Sequence, residues 1–116
     1  MRNMSFSKTT EQMYNGTKDV TRRHIDTWQN LKVGDRIRAV EKAMGLKKGE
    51  KMKPICEIEI VDVRVERICH VTEDDVRREG FPGMSRHAFA RLLGKIMKCH
   101  VFDKCRRIEF KIVPND

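Results

Sequence analysis

The densest chemistry in the sequence lies in one octapeptide, Gly16-Thr17-Lys18-Asp19-Val20-Thr21-Arg22-Arg23. An ammonium, two hydroxyls and two guanidiniums follow a glycine of the kind that ends a helix in a left-handed turn. In an extended segment Lys18 and Val20 share one face, with Thr21 and Arg23 on the other. A curved loop instead brings Lys18 and Thr21 together. Arginine offers a planar fork for phosphate or carboxylate, and lysine a point charge. On composition alone the same stretch also reads as a solvated basic turn.

The elements that must position these groups follow from periodicity. Met4 to Ser7 reads as a short strand, Thr9 to Tyr14 as a short helix and Arg36 to Ala43 as a strand. Cys56 to Ile68 is the strongest strand signal, with a phase slip at Ile60-Val61 that predicts a bulge. Thr72 caps a helix that Gly80 ends, and Ser85 caps a longer one. Phe89, Leu92, Leu93, Ile96 and Met97 give that longer helix a core-facing stripe. Arg106 to Val113 closes the chain as a strand with Ile108, Phe110 and Ile112 inward. Without βαβ alternation, the expected fold is α+β: a small, mostly antiparallel β-barrel with two or three short helices packed around it.

The 116 residues fit one domain over 1–116, with Met1 to Asn3 as an unstructured extension if Met4 is the start. The net charge is +8. It is placed unevenly, with 13 Lys/Arg against 6 Asp/Glu up to residue 53 and 12 against 11 thereafter. A one-sided basic surface attracts phosphates, so the expected partner is a nucleoside or RNA. The loop Gly45 to Lys53 carries Lys47 and Lys48, which either extend a cleft toward phosphates or sit on a solvated hairpin tip.

No apolar run is long enough for a membrane span, and Met1 to Thr10 has no apolar signal core. The expected setting is cytoplasmic, with Cys56, Cys69, Cys99 and Cys105 as reduced thiols. Cys69-His70 and Cys99-His100 match no closed zinc spacing, so no metal or cofactor is expected. Tyr14 and Trp28 are able to stack on a base, but buried or half-buried packing is the expectation. His24 either faces the cleft or lies at the surface.

Gly16-x-Lys18-x-x-Thr21-x-Arg23 resembles the signature GxKxx(E/T)xR of the ASCH domain family, in the PUA-like superfamily. Three more segments keep that family's order: Leu31 to Ile37, Cys56 to Val65, and Val71 to Phe81. The ending Ile108-Glu109-Phe110 resembles its closing strand. Threonine at position 21 is closest in motif to the N(4)-acetylcytidine amidohydrolases. The resemblance implies a catalytic trio of Lys18, Thr21 and Glu79, with Gly16, Arg22 and Arg23 at the substrate. It also leaves open a binding module for RNA without catalysis, and less readily a ribonuclease. The longer loop Met44–Lys53 and the helix Ser85–Lys98 depart from the compact amidohydrolases.

Overall fold

The longest β-branched run becomes the longest strand. In a computed structural model that describes residues 1–114, β4 spans Pro54–Arg67. It pairs antiparallel with β3 (Arg36–Val40) on one side and with β5 (Lys104–Ile112) on the other. Beyond β5 lies β2 (Val20–His24), antiparallel, and beyond β3 lies β1 (Asn3–Ser5), parallel. The sheet order is therefore β1-β3-β4-β5-β2. The register of β4 shifts between Ile60 and Asp62, leaving Val61 without a cross-strand partner in β5, at the point where the phase slip predicts a bulge.

The expected barrel is corrected to an open, five-stranded mixed sheet. β1 and β2 are its two edges and do not pair with each other. β1 has only three residues, too few to supply a backbone ladder on both sides. At the N-terminus, Asn3 pairs with Arg38 inside β1, and the Arg2 carbonyl accepts from Arg38 N at 2.9 Å.

Three helices flank the sheet: α1 (Thr10–Tyr14), α2 (Glu73–Arg78) and α3 (Arg86–Met97). Thr72 Oγ accepts from Asp75 N at 3.1 Å and Ser85 Oγ from Ala88 N at 3.1 Å, so both expected caps form. Two cores result. Met4, Phe6, Met13, Ile58, Ile108 and Phe110 fill the space between the sheet and α1. Ile68, Val76, Phe89, Leu93 and Cys105 join α2 and α3 to the far end of β5. Ile112, expected inward, is instead 39% exposed at the C-terminal end of β5. Tyr14 is also exposed rather than packed, with its hydroxyl donating to Glu41 Oε2 at 2.6 Å.

Gly80 stops α2 at a φ of +104°. A Cβ there would lie 2.6 Å from Gln12 Cγ, so only glycine lets α2 pack this closely on α1. Gln12 Nε2 also donates to the Gly80 carbonyl at 3.2 Å. This junction sets where the residue before Gly80 points.

Candidate functional site

The loop between α1 and β2 is stapled to the end of α2. Asp19 N donates to the Arg78 carbonyl at 3.0 Å, and the Arg78 guanidinium grips the Asp19 carboxylate at 3.0 and 3.1 Å. Gly16 turns the chain into this loop at a φ of +75°. The staple delivers Lys18 to Glu79, the residue that caps the C-terminus of α2. Lys18 Nζ donates to the Glu79 carbonyl at 2.9 Å and to Glu79 Oε1 at 3.0 Å. Arg22 Nη1 donates to the other carboxylate oxygen, Oε2, at 2.8 Å. Lys18 and Glu79 are each 3% exposed. Lys18 and Arg22 thus work from one side of the segment.

Behind this pair runs a buried ion network. Arg22 Nη2 donates to Asp75 Oδ2 at 2.6 Å and also to Glu66 Oε1. Arg107 holds Asp75 in a bidentate grip, at 2.8 and 3.1 Å. Burial works against the charge on Arg22, but Glu79, Asp75 and Glu66 outweigh it and its pKa is raised. Burial likewise opposes the Asp75 carboxylate, yet Arg107 and Arg22 hold its pKa well below the usual range. Lys18 goes the other way. Desolvation pushes its pKa down, Glu79 resists, and Arg23 and Arg22 add to the lowering.

These groups line one cavity of about 460 Å³. Lys18, Thr21, Arg22, Arg23 and Glu79 are all on its wall, and His24 and Trp28 border it. Thr21 is 4% exposed, and among the described residues no protein group hydrogen-bonds its hydroxyl. Arg23 Nη2 donates to the Ser5 carbonyl at 2.7 Å, and its guanidinium lies over the Phe6 ring, 4.9 Å from the centroid. Trp28 is half-buried, with Arg2 over its ring at 5.1 Å. Helix α3 supplies an apolar wall. Phe89 and Leu93 enter the core and Met97 packs half-buried against it, whereas Leu92 and Ile96 of the same stripe reach only the cavity rim, half-buried and exposed.

The structure therefore brings Lys18, Thr21, Arg22, Arg23 and Glu79 together. It does not bring Lys47 and Lys48 to them; both are exposed on the β3–β4 loop and off the cavity wall. Gly16 shapes the loop without touching the cavity. Sequence reasoning missed Glu66, Asp75 and Arg107. Asp75 lies in the first turn of α2, and its carboxylate ties Arg22 to Arg107. Among the described residues no group of three or more His, Cys, Asp or Glu side chains has the arrangement of a metal site. No helix among them is long and apolar enough to cross a membrane. Burial raises the Cys105 thiol pKa to about 11.

No family model and no curated protein matches this sequence. Solved structures do. Protein EF3133 from Enterococcus faecalis V583, described as DUF984, superposes with a TM-score of 0.63 at 15% identity, over 92% of this chain and 71% of that one. The ASCH domain from Lactobacillus crispatus JV V101 gives 0.59 at 19% identity, over 96% and 79%. The hypothetical protein PH0355 gives 0.66 at 15% identity, over 97% and all of that chain. The open sheet and three helices thus form an ASCH-like fold.

Proposed function

We propose that this cavity is the active site of an amidohydrolase that removes an acyl group from the exocyclic amine of a nucleobase, with N(4)-acetylcytidine or a close analogue as substrate. The observation that carries the reading is the buried Lys18–Glu79 contact on the wall of a cavity that Thr21 shares. The order of the motif segments supports it further, as does a volume within the usual range for small-ligand sites.

The chemistry follows from the donors. A neutral lysine amine has two hydrogens, and Glu79 offers two acceptors, its carbonyl and Oε1. With both hydrogens engaged, the nitrogen lone pair is left to take a proton. Thr21 Oγ attacks the acyl carbon as Lys18 takes the hydroxyl proton. Lys18 then returns that proton to the departing amine as the C–N bond breaks. Water attacks the threonine ester and loses a proton to Lys18, which passes it to Thr21 Oγ as the acyl C–Oγ bond breaks and the acid leaves. Glu79 acts on the reaction by holding the amine, and Arg22 by holding Glu79.

Incubation with N(4)-acetylcytidine, followed by chromatography of cytidine, tests the proposal. Turnover by the native chain is expected, with at least a hundredfold loss in Thr21→Ala and Lys18→Met. Absence of turnover at high enzyme concentration would sink it.

A second reading, RNA binding without catalysis, draws on helix α3. From Ser85 to Phe102 the chain has no acidic residue, and Arg91, Lys95 and Lys98 recur at helical spacing with no ion pair among the described residues. This reading expects micromolar RNA binding that falls steeply with salt. Replacing those three cations by serine would weaken it, whereas replacing Lys47 and Lys48 tests the loop instead.

A further inference from the structure

We infer that the ligand of this cavity is anionic, a nucleoside carrying a phosphate on its sugar, with the phosphate seated on Arg23. The inference rests on the nucleoside reading above and names the substrate class more closely. Its basis is the contrast between two adjacent arginines. Arg22 meets three carboxylates, from Glu66, Asp75 and Glu79. Arg23 meets none within ion-pairing distance among the described residues. Its Nη2 donates to a backbone carbonyl, and its Nε, like that of Arg22, is buried without a hydrogen-bond partner.

Arg23 is half-buried, and a partly desolvated guanidinium without a carboxylate partner is costly enough that folds seldom keep one without a use for it. Charge around the cavity points the same way. Lys8, Lys18, Arg22 and Arg23 face it, against Glu79 alone, whose two carboxylate oxygens are already taken by Lys18 and Arg22. No negative charge on the wall remains for Arg23 or Lys8. Burial accordingly lowers the Arg23 pKa to about 10, a penalty that a bound anion would relieve. The planar guanidinium is suited to two phosphate oxygens at once. The hydroxyls of Ser7 and Thr27 border the same cavity and add donors.

The test compares ligands that differ only in phosphate. Binding of cytidine and of cytidine 5′-monophosphate to the native protein is measured by calorimetry. Hydrolysis of N(4)-acetylcytidine and of its 5′-monophosphate is measured in parallel. The phosphate is expected to improve both Kd and kcat/KM at least tenfold, mainly through KM, with the gain shrinking as salt rises. Arg23→Met is expected to erase the difference between the paired ligands. Because that variant also removes the bond to Ser5 on β1, the native comparison decides the matter without it. A dinucleotide with a 3′-phosphodiester separates a terminal phosphate from one within an RNA chain. Equal or weaker binding of both phosphorylated ligands, with the nucleoside still turned over, overturns this inference and leaves the amidohydrolase reading standing. Failure of every ligand to bind overturns both.

Discussion

The guanidinium of Arg23, on β2, donates to the Ser5 carbonyl, on β1, at 2.7 Å. These two strands are the opposite edges of the sheet. The sheet curls far enough for its edges to approach, and a side chain bridges them where a barrel would use a backbone ladder. A lysine has no planar fork and stacks less well on Phe6. Arg23→Lys is therefore expected to leave the sheet intact but loosen its edge. Amide hydrogen exchange should quicken at least tenfold in β1 and stay unchanged in β4 and β5.

Glu79 is the sole carboxylate on buried Lys18 and one of three on Arg22, so its removal strands Lys18. Glu79→Ala is expected to cost about 3–5 kcal/mol in urea denaturation, because Lys18 is left buried without a carboxylate while Arg22 keeps Asp75 and Glu66. Lys18→Met removes one cation and leaves Glu79 paired with Arg22, so its loss should be clearly smaller. Equal losses would show that the two contacts are not shared in this way.

Much of this arrangement is legible in the sequence. The slip at Ile60-Val61, the caps at Thr72 and Ser85, and the stop at Gly80 are local signals, and each appears where chain chemistry puts it. The open sheet was not legible, because closure depends on how far short edge strands reach. The roles of Asp75 and Arg107 were hidden too. Their contact joins residues 32 apart, and nothing in the neighbourhood of either points to the other. The apolar stripe of α3 read as one face, yet only part of it enters the core, since the cavity takes Leu92 and Ile96.

Burial lowers the Lys18 pKa, so the neutral base forms at a lower pH than in an ordinary lysine. On the amidohydrolase reading, kcat/KM should rise with pH and level off below the usual lysine value of about 10.4. The same shift affects stability. The folded chain holds this proton less tightly than the unfolded one, so the contribution of Lys18 grows as pH climbs from its lowered folded pKa toward the unfolded value. Lys18→Met should remove that dependence from pH-resolved melting curves.

Asp75 has the opposite sign. Arg107 and Arg22 lower its pKa against burial, so it contributes stability that is full above the ordinary aspartate value of about 3.9. That stability drains away as pH falls toward the lowered folded pKa. Asp75→Asn should be less stable at pH 7 and lose less on acidification, as followed by circular dichroism.

Gly80→Ala adds a clash with Gln12 to an unfavourable positive φ and is expected to cost roughly 2–4 kcal/mol. Gly16→Ala meets no atom within 4 Å and should cost only about 1–2 kcal/mol from its φ. Truncating Gln12 to alanine beside Gly80→Ala should restore part of the difference in thermal denaturation.

The contact between Lys18 and Glu79 spans 61 positions of chain. As a ribosome extends the polypeptide, Lys18, Thr21 and Arg23 emerge long before the acid that organises them. β2 has no sheet neighbour until β5 is made. Until then the threonine and its lysine are two residues on an unpaired stretch, so the cavity wall should assemble in one step once β5 pairs.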